Sequence, residues 1–191
     1  MKTNRAIFFC FLLMVIVAAV YRLIPYPTRP INFAPQLAMA LFAGAVIKDK
    51  RLAFLVPLLS MFISDSIYQI LYINGLTEIS GFYEGQWQNY LLFVLMTVIG
   101  FFIRKINVPN VLAGALAAPV VFFILSNFVV WAGWQGTRGL GRPKTFQGLM
   151  LCYNDALPFF WNSVASCILF SALFFGAYVL MVRKQPVVAR A

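Results

Sequence analysis

The third apolar stretch of the chain, LAFLVPLLSMFISDSIYQILYI at residues 52–73, carries an aspartate within a mainly apolar run. A helix over this stretch is long enough to cross a bilayer, whose hydrocarbon core is about 30 Å thick. Counted from Arg51 at about 1.5 Å per residue, Asp65 lies about 21 Å into that core. An ionised carboxylate is costly at this depth, so it normally faces the interior of a helix bundle or a water-filled cavity. Asp65 is therefore the first candidate functional residue.

The composition is that of an integral membrane protein. Of the 191 residues, 62% are hydrophobic, 17% are aromatic and only 10% are charged. There is no histidine, which argues against an imidazole metal site and against the catalytic residue sets of most hydrolases and oxidoreductases. The three cysteines form no CxxC pair, which argues against a disulfide framework and a thiolate metal site. We therefore expect no enzyme activity, no cofactor and no metal. The net charge of +10 is interpreted by position in the membrane, not as a nucleic-acid footprint.

Six apolar segments, bounded by charged or turn residues, divide the chain. They predict an all-α membrane protein that forms one domain over residues 1–191. The six predicted transmembrane helices cover residues 6–23, 34–47, 52–73, 89–103, 108–134 and 157–182. The second is short, so we expect the preceding IPYPTRPINF to enter the outer part of the membrane as irregular backbone. The sixth is expected to begin with Asn154 or Asp155 as its N-cap and with Pro158 in its first turn.

Basic residues are distributed unequally between the two ends of these segments. Ten fall at one end, namely Lys2, Arg5, Lys48, Lys50, Arg51, Arg104, Lys105, Arg183, Lys184 and Arg190. Five fall at the other, namely Arg22, Arg29, Arg138, Arg142 and Lys144. The positive-inside rule therefore predicts that both termini lie in the cytoplasm and that the long polar and aromatic connections lie outside. The first segment, preceded by MKTNR, also fits a cleavable secretory signal, and the sequence leaves its retention open.

Polar side chains occur at similar depths on three predicted helices. Asp65 on the third, Asn127 on the fifth and Asn162 on the sixth all fall in the outer half of the membrane. They either tie neighbouring helices together, line a binding cavity that is open to the outside, or form an ion or proton path. We favour the cavity, because all three helices lead into the long outer connections, where functional residues tend to lie.

Other features have simpler structural interpretations. The aromatic residues near the outer interface fit an interfacial belt better than ligand stacking. Cys152, the only cysteine outside an apolar run, is more simply an inert thiol than a ligand for a soft metal. Small residues at four-residue spacing predict close helix packing. They are Ala34, Ala38, Ala40, Gly44, Ala113, Gly114, Ala117 and Ala118.

Four motifs carry a resemblance to a known family. They are NFAPQLAMALFAGAVI followed by a short basic turn, LAFLVPLLSMFISDSIY, SNFVVW and CYNDALPFFWNSV. The chain resembles a family of small, uncharacterised bacterial integral membrane proteins that is similar in architecture to the S components of energy-coupling factor (ECF) transporters. The resemblance implies a bundle of six helices in the bacterial cytoplasmic (inner) membrane, with an outward pocket for a vitamin or related micronutrient. It also implies an energy-coupling transmembrane subunit as partner, although the first segment lacks the Ala-xxx-Ala pair with which S components dock on it.

The leading hypothesis is an S-component-like protein that captures a small water-soluble ligand from the outer side for uptake, without chemistry. Its expected partners are that ligand and the lipid bilayer, with no nucleic acid. The alternative is a structural or assembly subunit of a membrane complex that has no small-molecule ligand.

The predicted substrate-binding residues fall into three groups. Hydrogen bonds are expected from Asp65, Gln69, Asn127, Asn154, Asp155 and Asn162. Asn32 and Phe33 are expected to line the mouth of the pocket, and Tyr68, Trp131 and Tyr153 to stack on the ligand or close over it. Replacing Asp65 by alanine is then expected to abolish thermal stabilisation by the ligand while leaving expression intact.

Overall fold

The computed structural model describes residues 2–22, 30–78, 80–133 and 141–183. Within these residues the chain forms six α-helices and no β-strand, which confirms the all-α prediction. The helices are α1 (Lys2–Arg22), α2 (Gln36–Val46), α3 (Lys50–Ile73), α4 (Gln86–Phe101), α5 (Val108–Ala132) and α6 (Phe146–Arg183). The predicted helix ends at residues 23 and 134 lie outside the described residues, as do Arg29, Arg138, Lys184 and Arg190.

The prediction for the start of the last helix was wrong. It placed the first turn at residue 157, whereas α6 begins at Phe146 and continues through Pro158. The actual N-cap is Thr145, whose Oγ1 accepts a hydrogen bond from the Gly148 N–H at 3.1 Å. Asn154 and Asp155 are therefore interior helix residues and not caps. A proline inside a long apolar helix bends it without ending it, because neighbouring groups satisfy the freed carbonyl.

The Thr145 cap provides a test of this boundary. Replacing Thr145 by alanine removes the acceptor for the Gly148 N–H and is expected to cost about 1 kcal/mol of stability. Replacing it by serine keeps the hydroxyl and should cost little. Thermal unfolding of the purified variants in detergent measures both changes. Equal unfolding temperatures for the alanine and serine variants would show that α6 starts elsewhere.

Within the part of the chain that the structure describes, three helices are long and apolar enough to cross a membrane, and not the six that were expected. They are α3, α5 and the Phe146–Val182 part of α6. Two further apolar helices are shorter, Ile7–Tyr21 within α1 and Gln36–Val46, and α4 has only 16 residues. The 11 residues of α2 rise about 16 Å, roughly half of a bilayer core. Length and hydropathy therefore support a membrane protein.

The short helix α2 is the centre of the bundle. It contacts each of the other five helices, and nine of its 11 residues are buried. A helix that is apolar on all sides is stable where protein surrounds it completely, which explains how α2 tolerates its length. Leu41 and Phe42 are fully buried, and the Phe42 ring packs edge-on against Phe175 of α6 at 5.3 Å. The bundle is thus organised around its shortest apolar helix.

Glycines allow α2 and α4 to approach closely. A Cβ built on Gly44 would lie 2.2 Å from the Thr97 carbonyl oxygen, and one on Gly100 would lie 2.4 Å from the Leu41 carbonyl oxygen. The prediction of close packing by small residues is therefore confirmed for Gly44. It was wrong for Ala113 and Ala117, which are exposed on α5, because a spacing of four selects a helix face without showing which face is buried.

Candidate functional site

A cavity of about 600 Å³ lies among the helices. All six helices contribute to its lining, together with residues of the α1–α2 and α3–α4 connections. The contributions of α1, α3 and α5 come from their later turns, whereas those of α2 and α4 come from their first turns. The cavity therefore lies at the end of the bundle where α1 and α3 end and where α2 and α4 begin, which is the end that the charge distribution predicts to face outward.

Five of the eleven predicted site residues line this cavity. They are Asn32, Phe33, Asp65, Tyr68 and Asn127. The other six do not, namely Gln69, Trp131, Tyr153, Asn154, Asp155 and Asn162. The expected meeting of side chains from separate helices is thus observed for Asp65 and Asn127, and not for Asn162.

Several of the remaining residues hold connections in place. The Gln69 Oε1 accepts hydrogen bonds from the Ser80 hydroxyl at 2.7 Å and from the Phe82 N–H at 3.2 Å. The Trp131 Nε1–H donates to the Pro143 carbonyl at 2.9 Å. Gln69 and Trp131 therefore bond to connections of the chain and lie outside the cavity lining. The spacing of polar residues on a helix does not distinguish a ligand from a neighbouring loop.

The same distinction applies on α6. The Tyr153 hydroxyl donates to the Ile124 carbonyl at 2.9 Å, which ties α6 to α5. Asp155 forms an ion pair with Arg142, and Asn154 is exposed outside the cavity lining. These residues lie in the helical extension of α6 that the sequence assigned to a loop. The helical backbone consequently fixes the directions of their side chains, whereas the predicted loop would have left those directions adjustable.

Asp65 is the most buried polar group of the cavity wall, with no exposed surface. Its Oδ2 accepts a hydrogen bond from the Tyr90 hydroxyl and another from the Gln86 Nε2 at 2.5 Å. Gln86 is the first residue of α4, so the carboxylate lies near the positive end of that helix. Two donors and a helix N-terminus thus hold one carboxylate of α3 against α4.

Hydrogen bonds at both the oxygen and the nitrogen fix the orientation of the Gln86 side-chain amide. Its Oε1 accepts from the Tyr83 N–H at 3.2 Å, while its Nε2 also donates to the Gly81 carbonyl at 3.3 Å. The α3–α4 connection approaches α3 closely at Gly81, where a Cβ would lie 2.2 Å from the Asp65 carbonyl oxygen. The connection and the first turn of α4 therefore form one polar wall around the carboxylate.

Sequence reasoning missed the contribution of α4 to this wall. Gln86, Asn89 and Tyr90 all line the cavity, and the Asn89 Nδ2 donates to the Tyr83 hydroxyl at 2.8 Å. A signal was present, because residues 86, 89 and 90 have the spacing of a single helix face. That face is also polar at a depth where α3 carries Asp65. The predicted start of the helix at residue 89 hid the pattern by leaving Gln86 in a loop.

The turn at residues 30–33 closes the cavity beside α6. Asn32 has φ 62°, and the Phe33 N–H bonds to the Pro30 carbonyl at 3.2 Å, as in a turn whose third residue is left-handed. The Asn162 Nδ2 donates to the Ile31 carbonyl at 2.9 Å, and the Ser163 hydroxyl to the Asn32 carbonyl at 3.3 Å. Asn162 therefore positions the turn that carries Asn32 and Phe33, instead of contacting the cavity itself.

Another part of the cavity lining is aromatic. Phe93 and Phe122 stack with ring centroids 4.9 Å apart, and Phe123 packs against Phe160 at 5.1 Å. All four rings line the cavity. The cavity therefore combines a polar wall from α3 and α4 with flat apolar surfaces from α4, α5 and α6.

Cys152 does not face the cavity. Its thiol is buried and lies 3.6 Å from the Asn127 carbonyl oxygen, where it acts as a weak donor. Among the described residues no group of three His, Cys, Asp or Glu side chains is placed to hold a metal ion. The cavity is consequently built for hydrogen bonding and ring contacts by the residues that line it.

The fold and the cavity define a small α-helical protein with membrane-length apolar helices and an internal polar chamber. The chain belongs to DUF6580, a family of unknown function whose model matches residues 2–188. No curated protein and no solved structure matches the chain. Similarity to S components of ECF transporters stays a prediction.

Proposed function

We propose that this protein captures a small water-soluble compound in the cavity for uptake across the bacterial inner membrane. The cavity itself carries the proposal, because about 600 Å³ falls within the range of roughly 300–1,000 Å³ that is typical of ligand pockets. Its lining also has the usual composition of such pockets, in which apolar and aromatic side chains surround a few placed polar groups. Asp65, Tyr90 and Asn127 are three of those polar groups.

The proposal includes six crossings and cytoplasmic termini. Three of these crossings are supported by α3, α5 and α6, which are long and apolar enough to cross a membrane. The others are α1, α2 and α4, of which α2 is shielded from lipid by the five helices around it and therefore need not match the bilayer thickness. In this orientation the cavity opens toward the outer side, where a compound arriving from outside is bound. The resemblance to S components supports the same arrangement, in which the protein binds a compound and catalyses no reaction on it.

Asn127 offers a clean test of binding. Among the described residues its Nδ2 donates to the Phe123 carbonyl of its own helix alone, at 2.8 Å, so replacing the side chain breaks no hydrogen bond between helices in that part of the chain. Asn127→Leu removes one polar contact to a ligand and is expected to weaken binding by about 1 kcal/mol, or roughly fivefold. The matched control is Asn154→Leu, the same change at an exposed residue outside the cavity.

The measurement starts from the compound that accompanies the protein. The full chain is purified in mild detergent, small molecules are extracted, and mass spectrometry compares the wild type with the two variants. We expect one compound to be enriched in the wild type and in Asn154→Leu, and depleted in Asn127→Leu. Adding that compound back should raise the unfolding temperature of the wild type more than that of Asn127→Leu. A constant protein neighbour in crosslinking, without any enriched small molecule, would favour an assembly subunit instead.

A further inference from the structure

Several hydrogen-bond donors of the cavity lining are already used within the protein. The Gln86 Nε2 donates to Asp65, and the Asn127 Nδ2 donates to the Phe123 carbonyl. The Ser80 hydroxyl donates to the Gln69 Oε1 at 2.7 Å, and the Ser163 hydroxyl donates to the Asn32 carbonyl at 3.3 Å. Each hydroxyl uses its only hydrogen in this way and can only accept from a ligand, whereas the Asn127 amide keeps its oxygen together with one N–H.

An acceptor without a protein donor lies at the same cavity. The Gln36 Oε1 is buried, and among the described residues no group donates a hydrogen bond to it. Gln36 lines the cavity from the first turn of α2. A buried carbonyl oxygen without a donor costs free energy, which an N–H group of a ligand recovers. Gln36 and Asn127 thus place two amide oxygens at the cavity, beside the buried carboxylate of Asp65.

Aromatic rings supply the apolar part of the cavity lining. The stacked pair Phe93 and Phe122 and the neighbouring Phe123 present faces and edges to the same space. Planar rings pack well on such surfaces, and their edges then point toward the polar wall. No basic side chain is among the described residues that line the cavity, so carboxylate or phosphate groups find no cationic partner there.

We propose that the ligand is a planar nitrogen compound, such as an amino- or amidino-substituted aromatic ring, that donates N–H hydrogen bonds to the amide oxygens of Gln36 and Asn127, and that anionic compounds of the same shape are rejected. This inference rests on the proposed function and specifies the substrate class of the same site.

The test uses two probes of nearly identical shape. 2-Naphthamidine carries only N–H donors on its planar end group, whereas 2-naphthoate carries only acceptors. Calorimetry on the full chain in lipid nanodiscs measures both. We expect 2-naphthamidine to bind at least about tenfold more tightly than 2-naphthoate. The carboxylate oxygens of 2-naphthoate would face the amide oxygens of the cavity without a hydrogen between them. Equal or tighter binding of 2-naphthoate, or no binding of 2-naphthamidine, would overturn the inference.

Variants of Gln36 test which atom of the amide faces the ligand. Gln36→Glu keeps the acceptor, removes the donor and suits the first turn of α2, so the affinity for 2-naphthamidine should hold or rise. Gln36→Leu should lower that affinity by about threefold or more, while Gln147→Leu, the same change at an exposed residue of α6, should not. Loss of 2-naphthamidine binding in a folded Gln36→Glu protein would show that the amide acts as a donor and would overturn the inference.

These outcomes differ from a failure of the proposed function. Preference for 2-naphthoate contradicts the substrate class and leaves capture of a small compound standing. Absence of any co-purified compound counts against capture itself. The wild-type comparison of the two probes decides the substrate class even if a Gln36 variant does not fold.

Discussion

Adding one methyl group at Gly44 is expected to separate α2 from α4 and to destabilise the whole bundle. The new Cβ would lie 2.2 Å from the Thr97 carbonyl oxygen and 2.9 Å from the Gly100 Cα, both of which are backbone atoms that cannot move aside alone. Because α2 contacts every other helix, a shift of α2 disturbs all of its interfaces. We expect Gly44→Ala to cost about 3 kcal/mol, at the upper end of typical overpacking effects. Thermal unfolding in detergent measures the loss.

Gly176 supplies the matched control for this prediction. It lies in α6, and a Cβ built on it meets no atom within 4 Å. Gly176→Ala should therefore be neutral or stabilising, by up to about 1 kcal/mol, because alanine favours a helix more than glycine does. Gly100→Ala should resemble Gly44→Ala, since its Cβ would lie 2.4 Å from the Leu41 carbonyl oxygen. If all three variants unfold at the wild-type temperature, the close approach of α2 and α4 is incorrect.

Replacing Asp65 by alanine is expected to reduce stability as well as binding. The side chain is completely buried, and its removal leaves the Tyr90 hydroxyl and the Gln86 Nε2 without their shared acceptor. Hydrogen bonds to a charged group contribute about 1.5–3 kcal/mol each, so we expect a loss of roughly 3 kcal/mol. This differs from the expectation from sequence, which treated Asp65 as a ligand contact whose loss leaves folding intact.

A double-mutant cycle isolates this tie between α3 and α4. Tyr90→Phe removes the hydroxyl alone, and its effect should be smaller in an Asp65→Ala background, with a coupling energy of about 1–2 kcal/mol. Glu84→Ala removes an exposed carboxylate from the same connection and should change stability by less than about 0.5 kcal/mol. Additive effects of Asp65→Ala and Tyr90→Phe would contradict the hydrogen bond. Asn127, which ties no helices together through its side chain, then remains the better probe of binding.

Much of the fold could be predicted from local sequence patterns. The bounds of α2 to α5 lie within three residues of the predicted ones, because charged and turn residues mark the ends of apolar runs. The start of α6 could not be predicted in this way. A glycine-rich, basic stretch favours a loop by composition, yet Thr145 caps a helix there. A helix cap is a single hydrogen bond between one hydroxyl and one backbone N–H, and the average hydropathy of a segment does not detect it.

The candidate site could be predicted in part. Asp65 was selected because a carboxylate in an apolar helix is costly, and Asn32, Phe33, Tyr68 and Asn127 lie with it at the cavity. Its partners Gln86 and Tyr90 were missed, since hydrogen bonding across helices depends on how α3 and α4 pack. Asn162 and Gln69 were assigned to the ligand, although they bond to connections of the chain.

The sequence by itself determined that the chain forms apolar helices and that one of them must bury a carboxylate, because hydropathy and helical rise are properties of a single segment. Only the tertiary structure decided that α2 lies at the centre, that α4 holds Asp65, and that the amide oxygens of Gln36 and Asn127 belong to one cavity. These features arise from contacts between residues far apart in the chain, and their geometry exists only when the helices are packed.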